Sequence, residues 1–134
     1  MNPILFHFTC RHAAERIGQR GWLLPSVRLM SPLQLRNLPN DVLMAGQAVW
    51  LATDRDATQR SLGFDGILSQ CDRTEYRYRV TEPGAVRPWT EVRTGWPPEV
   101  VAALEEGQDK RPETWWLGRG PMRARLTVAP ALTR

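Results

Sequence analysis

Ile4-Leu5-Phe6-His7-Phe8-Thr9 sets β-branched and aromatic side chains in one short run, and it reads as the first strand of the protein. Side chains alternate between the two faces of a strand. Ile4, Phe6 and Phe8 therefore share one face, and Leu5, His7 and Thr9 the other. Thr9 then has the side chain of a helix cap. Cys10 to Arg20 follows as a helix, with Cys10, Ala13, Ala14 and Ile17 at helical spacing. Gly21 is suited to end it in a left-handed conformation. Trp22-Leu23-Leu24-Pro25 leaves the helix as an extended apolar stretch.

From there the pattern alternates between strands and helices without a fixed period. Pro32, Pro39 and Asn40 interrupt a series of leucines, so residues 26–46 are expected to form a loop with short helical turns. Ala48 to Thr53 is a second strand. Asp54 is placed to cap a short helix from Arg55 to Leu62, and Ile67 and Leu68 are expected to be buried. Thr74 to Thr81 is the clearest strand, with Tyr76, Tyr78 and Val80 facing the core and Glu75, Arg77 and Arg79 on the other side, closed by a turn at Pro83-Gly84. Trp96-Pro97-Pro98 introduces a helix over residues 98–106 with Val100, Val101 and Leu104 as its stripe, ended by Gly107. Residues 111–120 carry Trp115 and Trp116. Met122 to Val128 is the last strand, with Met122, Ala124, Leu126 and Val128 inward and Arg123, Arg125 and Thr127 outward. This irregular mixture predicts one α+β domain spanning residues 1–134, with the four strands in one or two packed, mostly antiparallel sheets.

Composition bounds the function classes. Hydrophobic residues at 42% and charged residues at 24% give enough apolar side chains for an ordinary core and exclude a disordered chain. No apolar run approaches the roughly 18 residues of a membrane helix. The first ten residues lack a basic segment followed by an apolar stretch, which predicts no secretory signal. Cys10 and Cys71 are too few for a disulfide framework, so a reducing, cytoplasmic setting is expected. The net charge of +4 admits an acidic partner. All the basic residues except Lys110 are arginine, but they are scattered, which reads as coding bias rather than a phosphate clamp. An exposed Trp beside Arg would be different, because that pair marks a binding surface.

His7 and Thr9, the helix behind them and the exit from Gly21 to Pro25 together resemble the opening of the ADP-ribosyltransferase fold. In that superfamily the first strand carries a His-x-Thr, His-x-Ser or His-Gly-Thr triplet, followed by a short helix and an exit of this kind. Val49-Trp50-Leu51-Ala52-Thr53 resembles its second motif, a strand with an aromatic residue and a nearby Ser or Thr. The resemblance is firm through Pro25 and looser on to Arg60. It implies a mostly antiparallel split sheet flanked by short helices, and NAD as substrate. It also implies that His7 bonds the adenosine ribose with Thr9 assisting, and that Trp50, where relatives often carry Tyr, stacks on nicotinamide with Thr53 beside it. Relatives place a late carboxylate by the nicotinamide ribose. Glu75 is the candidate here, ahead of Glu82 and Glu91, and Arg77 and Arg79 are the candidates for pyrophosphate. His7, Thr9 and Trp50 are thus expected to line one pocket with Glu75 at its edge.

Such an enzyme builds an oxocarbenium-like cation as the ribose bond breaks, and a fixed carboxylate lowers that barrier. The acceptor would be a protein or a nucleic acid. Two other readings stand beside it: a non-catalytic module that binds and inhibits a protein, and a nucleic-acid binder supported by charge and Arg-Trp content. A metal site of His7, Cys10, His12 and Cys71 lacks paired ligand spacing.

Overall fold

The computed structural model describes residues 3–20, 22–25, 28, 30–58, 61–62, 74–82, 84–107 and 109–129. Six strands are described: β1 (Phe6–Thr9), β2 (Val49–Ala52), β3 (Tyr76–Glu82), β4 (Val86–Pro88), β5 (Trp115–Gly118) and β6 (Arg123–Val128). They form one sheet in the order β4-β5-β2-β1-β3-β6, and every pairing is antiparallel. The helices are α1 (Arg11–Arg20), α2 (Pro32–Arg36), α3 (Asn40–Ala45), α4 (Trp89–Val92) and α5 (Pro98–Glu105). The expected α+β class holds, with a single sheet rather than two packed ones.

The middle of the sheet is its weakest seam. β1 pairs β3 at four positions and β2 pairs β5 at four, yet β1 and β2 share only Phe6 with Ala52. Two three-stranded halves, β4-β5-β2 and β1-β3-β6, therefore meet along a short contact.

Helices cover both faces, as the alternation in the strands requires. On one face Ala14 and Ile17 of α1 pack against Leu5, Val49, Leu51, Tyr78 and Met122, with Leu23 bridging to Met122. On the other face Trp89 and Val101 pack against Ala48, Trp115 and Leu117, with Trp50, Trp96 and Leu104 at the margin. A smaller cluster of Phe8, Ala52 and Ala57 continues that second face toward β1.

Several local expectations need correction. Thr9 is the last residue of β1 rather than a cap, and α1 starts two residues later with Ala14 N–H bonded to Cys10 C=O. No helix is described within residues 55–62. Asp54 spends its carboxylate on the Asp56 N–H at 3.0 Å, which closes a side-chain turn, and Thr58 and Ser61 exchange side-chain bonds with each other's N–H groups. Leu126 and Val128 are not buried: Leu126 pairs with Tyr78 on the core side but at the sheet's edge, and a register shift sets Val128 opposite Arg77. β6 is an edge strand, and Leu126 and Val128 are 46% and 41% exposed. β4 and β5 are additional to the four strands expected from the sequence. Gly21, Ile67, Leu68, Cys71 and Pro83 lie outside the described residues, as does the His12 side chain.

The loop with short helical turns is found as α2 and α3. Ser31 and Gln34 form a reciprocal capping box around Pro32, which explains how so short a helix starts. Tyr76 and Val80 pack at the core margin and Tyr78 is buried, as the alternation predicts.

Tyr78 also carries a pH dependence. Burial, with Tyr76 adding a like-charge contribution, raises its phenol above the ordinary value of 10.0, and its hydroxyl donates to Ala14 C=O at 3.4 Å. The folded state therefore holds this proton longer than the unfolded chain does. Its stabilising contribution is complete below pH 10 and is lost as pH rises through the raised folded value. Chemical denaturation across the alkaline range should show that fall in the native protein and a shallower one in Tyr78→Phe.

Candidate functional site

His7 sits where β1 and β2 part. Its Nδ1 lies 2.9 Å from the carbonyl oxygen of Trp50 on the neighbouring strand. A carbonyl can only accept, so Nδ1 carries the proton and donates. The bond spans the seam and fixes the imidazole, which is half-buried. Thr9 follows on the same face of β1, 3% exposed, opposite Tyr76 in the β1–β3 register.

The other expected residues divide between the faces. Phe6 pairs with Ala52, so Phe6, Phe8, Trp50 and Ala52 lie on one face, and His7 and Thr9 on the other. The Trp50 ring is therefore not in a pocket with His7 and Thr9, which corrects that expectation. It is packed with Trp89 at 5.2 Å, Trp115 at 5.8 Å and Trp96 at 6.3 Å between ring centroids, and its indole N–H donates to Ala45 C=O at 2.7 Å. What Trp50 presents to His7 is its backbone carbonyl. An apolar crevice of about 20 Å³, lined by Phe6, Phe8, Trp50, Leu51, Leu62 and Trp115, lies behind the seam. A space of that size holds at most one water.

Arg77 pairs with Phe8 and belongs to the Trp50 face. It is engaged on all sides. Its guanidinium lies 5.2 Å from the centroid of the Phe6 ring, donates to Arg55 C=O at 2.7 Å and Thr127 Oγ1 at 3.1 Å, and approaches Asp56 at 3.8 Å. It stitches β3 to β6 and to the turn after β2. Arg79 is exposed and opposite Phe6, also away from His7. Thr53 lies one residue past β2, where its N–H donates to Thr114 C=O at 2.9 Å. Glu75 is half-buried and immediately precedes β3. The Thr9–Tyr76 pairing sets its backbone beside the point where β1 gives way to α1, and alternation gives it the parity of Arg77, away from the face of His7 and Thr9.

Two charged features escaped the sequence reading. Arg111 links Asp54 and Glu113, at 3.5 and 3.3 Å, where β2 ends and β5 begins. At the opposite end of those strands, an open groove of about 680 Å³ carries Trp96, Arg87 and Arg119. The Trp-with-Arg signal was present in the sequence. What was missing was β5, which brings Arg119 beside β4.

Among the described residues, no group of three His, Cys, Asp or Glu is placed to hold a metal ion, and no helix is long and apolar enough to cross a membrane. The chain matches no family model, no curated protein and no solved structure.

Proposed function

We infer that the protein is an ADP-ribosyltransferase-like domain that takes NAD as substrate and passes its ADP-ribose to a macromolecular acceptor, a protein or a nucleic acid. The observation that carries this reading is His7, fixed across the seam by the Trp50 carbonyl with Thr9 next on the same face. An imidazole held in place by that carbonyl suits a hydrogen bond with the hydroxyl of a ribose. A seam with one paired position is also where a sheet can admit a ligand between its strands. In the transfer, the bond between nicotinamide and ribose C1′ breaks, nicotinamide leaves with the electron pair, and an acceptor nucleophile bonds to C1′. Glu75 precedes β3 at the Thr9 end of β1 with the parity of Arg77, so it has to reach round the end of β1 to balance the developing cation, and it is the candidate carboxylate for that task. Trp50 enters this scheme through its carbonyl, not as a stacking ring, and Arg77 through the turn it secures.

Calorimetric titration with NAD tests the reading. The native protein should bind, and His7→Ala should weaken binding by about tenfold or more, the size expected for a lost hydrogen bond in an apolar setting. Its unfolding transition should stay cooperative. Trp50 packs against the indoles of Trp89 and Trp115 instead of standing open to a nicotinamide ring, which favours one other reading, a non-catalytic module that binds a protein partner. Absence of NAD binding by the native protein would overturn our reading.

A further inference from the structure

We propose that the groove between α3, β4 and the β5 end is a second ligand site, and that its ligand is a nucleotide, with the base against Trp96 and the phosphate at Arg87 and Arg119. The groove lies on the sheet face opposite His7, and the proposal does not depend on the NAD reading. Its volume of about 680 Å³ falls in the range of small-molecule sites. Met44 and Val92 give it an apolar floor, and Trp96 gives it an aromatic wall. The Trp96 ring is held edge-on by Trp50 and Trp89, at 87° to each, so its orientation is set before any ligand arrives.

The cations stand on the rim. Arg119 is exposed and makes no ion pair among the described residues. Arg87 has one contact to Glu91, at 3.6 Å with both side chains mostly exposed. Such a pair is worth little in water and yields readily to a phosphate. Register puts Arg87 opposite Leu117, and Arg119 follows one residue past the end of β5, so both arginines line the groove at this end of the sheet. Their planar forks suit phosphate oxygens. The Gln47 amide also lines the groove and makes no side-chain hydrogen bond among the described residues, leaving it able to read a base edge. A planar wall, an apolar floor and two guanidinium groups together fit a nucleotide better than a bare anion or an apolar ligand.

A free nucleotide and a nucleotide within a single strand offer this same chemistry, and titration separates them. The native protein is titrated with adenosine 5′-monophosphate, adenosine, inorganic phosphate and a short single-stranded oligonucleotide, following Trp fluorescence and heat. Expected is binding of the monophosphate at least about tenfold tighter than of adenosine or phosphate, and a loss of about tenfold in Arg119→Ala and in Arg87→Ala. Both are exposed positions whose removal leaves the core intact. Tighter binding of the oligonucleotide than of the monophosphate, with the same dependence on Arg119, assigns the nucleotide to a strand and keeps the proposal. Three results overturn it: no binding of either nucleotide form, inorganic phosphate binding as tightly as the monophosphate, or affinity unchanged in both Arg variants. His7→Ala separates the two sites, because it should leave monophosphate binding in the groove unchanged. Loss of that binding in His7→Ala but not in Arg119→Ala also overturns the proposal.

Discussion

Trp89→Ala should remove about 3–5 kcal/mol of stability, the largest loss expected from any single truncation in this protein. Trp89 has no exposed surface and meets three other indoles, Trp96 at 5.1 Å, Trp50 at 5.2 Å and Trp115 at 6.3 Å. Its indole N–H donates to Glu105 Oε2 at 3.2 Å, and Arg93 grips the same carboxylate through two bonds of 3.0 and 2.9 Å. Truncation would leave a cavity in the cluster that joins α4 and α5 to the sheet and would also strip Glu105 of a donor. A domain of this size has a total of about 5–15 kcal/mol, so the variant should be barely folded at room temperature. Urea denaturation measures the effect. Trp89→Phe, which keeps most of the ring volume, should lose much less. Equal losses in the two variants would mean that the Glu105 bond, not the packing, holds this face together.

Glu75→Gln should cut nicotinamide release from NAD by about a hundredfold to a thousandfold while leaving NAD affinity nearly unchanged. The amide has the size of the carboxylate but no charge, so it can fill the same space without balancing the cation at ribose C1′. Glu75 is half-buried just ahead of β3, at the level where Thr9 ends β1, and its replacement by an isostere outside the strand should leave the sheet intact. Release of labelled nicotinamide, measured beside calorimetry, separates the effect on rate from the effect on binding. Full activity in Glu75→Gln, with binding still dependent on His7, would assign the carboxylate's task elsewhere.

Much of the sheet was legible because alternation is a local property. β1, β2, β3 and β6 follow from runs of β-branched and aromatic residues, and each lies within two residues of its expected bounds. α1 and α5 follow from apolar spacing and, for α5, from Pro98. β4 and β5 were hidden for a physical reason. Val86–Pro88 is too short to show a period, and Trp115-Trp116-Leu117 is apolar on consecutive positions, because β5 is covered on both faces: Trp115 and Leu117 pack in the Trp cluster, and Trp116 against the cluster around Leu51 and Met122.

The candidate site was legible only in part, because a sequence shows which face a side chain takes within one strand but not the register between strands. His7 and Thr9 share a face by simple counting. Whether Trp50 joins them depends on the pairing of Phe6 with Ala52, and a shift of one residue would have put the ring beside His7. The groove at Trp96 depends still more on register, since Arg87 and Arg119 meet only through the pairing of β4 with β5.

The seam between β1 and β2 has a further meaning for how the chain is assembled. From β1 to β2, β2 to β3, β3 to β4 and β5 to β6, the polypeptide passes from one half of the sheet to the other, and only β4 to β5 stays within a half. The line with the fewest backbone hydrogen bonds is thus the one the covalent chain crosses most often. Neither half is a continuous piece of sequence, so neither can fold first and wait for the other. Strands must be gathered from across the whole length, which places this protein among the slower folders for its size. Once formed, the two leaves are sewn together by the chain itself, so the sheet can gape at its centre without coming apart.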